Sequence, residues 1–136
     1  MWLILCVALL FSGSTANAAE NIELFDSDKQ QVVATFANTE SFQTEAKRLL
    51  QSVSGRVLEL NPSLEHVMIV KIPLAPPQHL KQSSSGIDIQ IAEMFVIMPK
   101  KGNRPPWLIL HTKEYETVVM EFGAKVDQLR AQVKLP

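Results

Sequence analysis

Cysteine is nearly absent from this chain. The single Cys6 lies inside an apolar amino-terminal run, so the remainder has no disulfide partner and no thiol for catalysis or zinc binding. Glycine is scarce as well. With five in 136 residues, no Gly-rich strand-to-helix turn is available to cradle a phosphate. An excess of one charge is also lacking. Thirteen basic and 14 acidic residues leave a net charge of −1, which gives no electrostatic ground for nucleic acid or an anionic membrane as partner.

The usual catalytic constellations are missing too. The three histidines, His66, His79 and His111, show neither His-Glu-x-x-His nor any other zinc-site spacing. The densest serines, Ser83-Ser84-Ser85-Gly86, have linker composition and not the Gly-x-Ser-x-Gly of a nucleophile elbow. No catalytic residue is assigned on this reading, and neither a cofactor nor a metal is expected.

What is present begins with a targeting signal. Trp2 to Phe11 is uncharged and apolar, Ser12 to Thr15 interrupts it, and Ala16-Asn17-Ala18 places small residues where a signal peptidase cuts. The run is too short for a spanning helix, which needs about 20 apolar residues. No Lys or Arg precedes it, so only the amino terminus supplies positive charge; a start further upstream or an atypical signal accounts for that. Residues 1–18 are therefore expected to be a cleaved signal peptide. Residues 19–136 would be one exported domain, secreted or extracytoplasmic, without a transmembrane anchor. An exported domain of this size without a disulfide suits a bacterial source better than a eukaryotic one.

Periodicity then places the elements. Ile22–Phe25 suggests a short strand, whereas Gln31–Phe36 alternates poorly and reads as strand or helical turn. Phe42, Ala46, Leu49, Leu50 and Val53 form one apolar stripe, predicting an amphipathic helix over about 40–54 with Thr39 or Ser41 as cap and Gly55 as terminator. His66–Ile72 is a β-branched run stopped by Pro73. Ile87, Ile89 and Ile91 alternate with polar residues, and Met94–Met98 continues that strand after a phase shift at Ala92-Glu93, as at a bulge. Residues 73–86 read as a long Pro- and Ser-rich connection. Residues 99–106 form a turn before a third strand at Trp107–Leu110.

At the carboxyl end, Tyr115, Val119, Phe122, Val126, Leu129 and Val133 are spaced 4, 3, 4, 3, 4, predicting a helix over about 113–134 capped by Thr112. Gly123 costs a mid-helix position about 1 kcal/mol. Thr117, Val118 and Val119 favour a strand, so a strand to Phe122 with a helix only after Gly123 is the rival. The expected fold is α+β: a small two-layer domain with an antiparallel sheet of three or more strands against two amphipathic helices.

Three functional classes follow. The leading one is a non-catalytic binding domain whose partner is another envelope or extracellular protein. The binding candidate is the basic, aromatic and Pro-stiffened loop carrying Lys100, Lys101, Arg104 and Trp107. The second is a small secreted hydrolase or metal-dependent enzyme using His111, Glu114 or His79. The third is an assembly component whose carboxyl-terminal helix seam pairs with another subunit.

Overall fold

A computed structural model describes residues 20–59 and 62–136; the expected signal peptide lies outside the described residues. The strands are β1 (Ile22–Asp26), β2 (Gln31–Phe36), β3 (Val53–Arg56), β4 (Val67–Gln82), β5 (Ile87–Pro99), β6 (Trp107–Thr112) and β7 (Thr117–Phe122). Helix α1 (Glu40–Gln51) stands between β2 and β3, and α2 (Asp127–Gln132) follows β7. The strands make one seven-stranded sheet in the order β2-β1-β4-β5-β6-β7-β3, every neighbour antiparallel.

This corrects the expected fold class. The molecule is mostly antiparallel sheet with two short helices, not a sheet backed by two long amphipathic ones. The helix over 113–134 is not formed. Its first half is β7, and only Asp127–Gln132 is helical. Thr117, Val118 and Val119 are stiff at χ1 and fit a pleated surface better than a helix. Pairing with β6 on one side and β3 on the other then satisfies the backbone of this segment. Tyr115, placed in the helical seam by its spacing, is 95% exposed and left-handed (φ 66°) in the β6–β7 turn. Thr112 serves that turn, its Oγ1 accepting the Glu116 N–H at 3.0 Å.

The first helix also stops earlier than 54. Ser52 ends it, its N–H and hydroxyl both donating to the Leu49 carbonyl, and Gly55 lies in β3 at a register shift instead of closing the helix. Thr39 is the N-cap residue, but its side chain makes no capping bond. The buried stripe is Phe42, Ala46, Leu49 and Leu50, joined by Glu45. Glu45 is only 4% exposed and is held by Arg48 in a two-pronged pair at 2.9 and 2.5 Å. Arg48 also donates to the Lys125 carbonyl at 2.7 Å, tying α1 to the loop after β7.

Strand alternation sorts side chains onto two faces. Ile22, Leu24, Met68, Val70, Ile72, Met94, Val96, Met98, Leu108, Leu110 and Met120 form the main core with the buried residues of α1 and with Leu129 and Val133. The opposite face carries a smaller cluster of Val67, Ile69, Ile97 and Trp107, with Phe25, Val57, Phe95, Ile109 and Val119 partly buried around it. Neither helix contributes to that second cluster.

One segment of open assignment becomes a strand, and the reading of 73–86 as a connection after a strand stopped by Pro73 is corrected. Gln31–Phe36 pairs with β1 after a turn in which Gln30 is left-handed (φ 52°). The long connection from Pro73 continues β4 as far as Gln82, and Ser83–Ser85 is a single 3₁₀ turn closed by left-handed Gly86. Prolines cannot donate to a ladder. The β4–β5 register accordingly skips from Pro73 to Gln78, placing Pro76 and Pro77 in the bulge. The expected phase shift at Ala92-Glu93 is present as a register shift between Ile91 and Glu93 in the β5–β6 pairing.

Candidate functional site

The loop picked out as a contact surface is tied largely to its own chain. Lys100 donates to Asp26 at 2.6 Å and to Asp28 at 2.8 Å, and Asp28 also lies 2.8 Å from His66 Nδ1. The Lys100 ammonium holds both aspartate carboxyls below the ordinary carboxylate range, and the two carboxylates raise Lys100 in turn. Arg104 pairs with Glu59 and lies 4.3 Å from the Trp107 ring centroid, a cation–π contact. Trp107 itself is 1% exposed, so its ring belongs to the second core cluster. Lys101 is exposed.

The three histidines each meet a different carboxylate. His66 pairs with Asp28 and His79 with Asp88, while His111 Nδ1 lies 3.0 Å from Glu93 Oε1. His79 lowers Asp88 below its ordinary value. Glu114, named with His111 and His79 as a candidate for the enzyme reading, lines a cavity of about 290 Å³ with His79, Asp88, Gln90 and Glu116. Across the centre of the second face, Glu93 also lies 3.5 Å from Lys71, and Phe95 meets His111 edge-on at 5.0 Å. Among the described residues, no group of three or more His, Cys, Asp or Glu is placed to hold a metal ion.

Two concavities larger than the one lined by Glu114 lie elsewhere, where α1 runs beside β4. One of about 430 Å³ is lined by Lys47, Leu50 and Gln51 of α1, by Val53, and by Gln78 to Gln82 of β4. A neighbour of about 420 Å³ shares Lys47 and Gln78 and adds Asn38, Glu40, Gln43, Thr44, Ala75 and Pro76. Together they make a groove with an apolar floor at Leu50, Leu80 and Val53 and an amide-rich rim. Its position follows from strand lengths. β1 pairs with β4 only over Met68 to Lys71, so beyond that point β4 has a sheet neighbour on one side alone.

Side chains replace β1 for the next two edge groups. Asn38 and Gln43 donate to the Pro73 carbonyl at 3.1 and 2.8 Å, and Gln43 Oε1 accepts the Ala75 N–H at 3.1 Å. At the far end, Gln82 donates to the Val53 carbonyl at 2.9 Å. None of these groove residues carries a motif signal. Their trace in the sequence is limited to the polar positions of the helix expected over 40–54 and to the long Pro- and Ser-rich segment 73–86. No helix among the described residues is long and apolar enough to cross a membrane. Comparison with family models, with curated proteins and with solved structures gives no match to this chain.

Proposed function

We propose that this chain is an exported, non-catalytic binding domain that meets another envelope or extracellular protein through the groove between α1 and β4. The supporting observation is the groove itself. Two adjoining cavities of about 430 and 420 Å³ combine an apolar floor with convergent amide and ammonium groups, joined by the Glu40 carboxylate in the second, the composition of a recognition site. Export rests on the amino-terminal apolar run and its Ala16-Asn17-Ala18 exit.

The chain's cysteine content makes the test simple. With Cys6 removed in the signal, a Gln51→Cys domain can be labelled at one site with a benzophenone maleimide and photolysed with the envelope fraction of its own cells. A discrete heavier adduct from position 51, and none from a Thr35→Cys control on β2, is the expected result. Equal labelling from both positions, or adducts from 35 alone, overturns the groove as the contact surface.

A second reading, a small secreted hydrolase, draws on the cavity where His79 and Asp88 meet Glu114 and Glu116. A general base paired with an acid at a cavity rim has the parts for activating water. It predicts hydrolytic turnover that His79→Gln abolishes. The assembly reading loses its basis, since the helical seam it required is split between β7 and α2.

A further inference from the structure

Resting on the binding reading above, we propose that the groove takes an extended acidic peptide that adds to β4 as a new strand beside His79 and Lys81. The direction of the β4 backbone carries the inference. The Lys113 N–H donates to the Gln90 carbonyl at 3.1 Å, so Gln90 turns its backbone groups towards β6 and away from β4. In an antiparallel ladder successive residues turn to opposite sides, so Ile89 and Ile91 face β4. Their register partners Leu80 and Gln78 therefore bond to β5, while His79 and Lys81 turn N–H and C=O outward.

Those outward groups open onto the larger cavity, with Lys47 and Gln51 of α1 on its opposite wall. Up to Ala75 the outer edge is satisfied by β1 and then by Asn38 and Gln43. At His79 and Lys81 no protein group among the described residues takes over. An extended peptide is the ligand whose own backbone supplies the matching alternation, and alternate side chains of it would face Leu50 and Leu80.

Charge selects the peptide class. No carboxylate lines this cavity, and Lys47 makes no ion pair among the described residues. Lys81 faces Asp88 across the ladder, but that carboxylate is engaged by His79. Lys47 on the α1 wall and Lys81 on the other face of the same edge favour acidic side chains or a carboxyl terminus over basic sequences.

The test is selection of a displayed library of random ten-residue peptides against the processed domain, followed by synthesis of the best binder. The selected peptides should be acidic, with apolar residues at alternate positions. Lys47→Glu should weaken the synthetic peptide by about tenfold, as loss and reversal of one rim charge does, with Lys81→Gln giving a smaller loss and neither changing the thermal midpoint. Backbone N-methylation, scanned along the peptide, should abolish binding at every second position only. The His79 and Lys81 amides should become protected from hydrogen exchange.

Selection of neutral or basic peptides, N-methyl effects without alternation, or no enrichment at all overturns the proposal. A photoadduct at position 51 without any peptide binder would leave the groove as the contact surface and remove only the strand-addition mode. The absence of both would remove both.

Discussion

The register of β7 makes a sharp stability prediction. In the sheet, Met120 faces the main core and is 0% exposed, paired with Leu108 and Arg56 across its two neighbours. Val119, one residue earlier, points to the opposite face and is half-buried against the Trp107 cluster. Truncating Met120 to Ala removes three fully buried heavy atoms and leaves a cavity, at a cost of about 3 kcal/mol. Truncating Val119 removes two partly exposed methyls, worth about 1 kcal/mol. With a urea m-value of about 1.5 kcal/mol per molar for a domain of this size, the midpoint should fall by about 2 M for Met120→Ala and about 0.7 M for Val119→Ala.

Trp107 is buried and is the one tryptophan beyond the amino-terminal run, so its fluorescence reports the transition directly. A continuous helix with the 4, 3, 4, 3, 4 seam reverses the order, because Val119 then lies in the seam and Met120 at its flank. A loss for Val119→Ala equal to or larger than that for Met120→Ala would refute the strand.

Three other outcomes follow from the same structure. Leu129→Ala should cost about 2–5 kcal/mol in urea titration, since Leu129 is 0% exposed and is the one buried residue within α2, while Gln128→Ala should change the midpoint little. Asp26 and Asp28 have folded-state pKa values below their unfolded ones, so their stabilisation is complete above about pH 4 and is lost as the pH falls through the lowered values. Lys100 has a raised value, so its share is lost only as the pH rises through the alkaline range. Lys100→Met should flatten both limbs of a plot of urea midpoint against pH. Mass spectrometry of protein recovered outside the cytoplasm should find a chain beginning at Ala19 or within a residue or two; recovery of the intact Met1 form alone would defeat the export proposal.

The candidate site was less legible than the fold. Lys100, Arg104 and Trp107 stood out for their chemistry, yet chain neighbours 45 to 74 residues away along the sequence, Glu59, Asp28 and Asp26, engage the two cations. Composition marks a charge as available; only three-dimensional neighbours decide whether it is already paired. The groove residues Gln43, Lys47, Gln51 and Gln78 are ordinary polar positions on a helix face or strand. They become a site because β1 ends short of β4, a fact about relative strand length that no local pattern encodes.

Some of the architecture needed nothing beyond local pattern. The run at 66–72 is too short and too β-branched for a buried helix, the alternation of Ile87, Ile89 and Ile91 marks a half-buried strand, and the stripe Phe42, Ala46, Leu49, Leu50 fits a period of 3.6. Residues 117–122 satisfy two periods at once. Val119 and Phe122 suit a helix, while Val118, Met120 and Phe122 suit a strand, so the choice passes to backbone hydrogen bonding. Once β6 and β3 stand on either side, a strand there satisfies both its own edges and theirs, and a helix would strand the edges of both neighbours. The prolines of β4 follow the same logic. Locally Pro73, Pro76 and Pro77 signal a loop. Only pairing with β5 over Gln78 to Gln82 makes it worthwhile to bulge past them and resume the ladder.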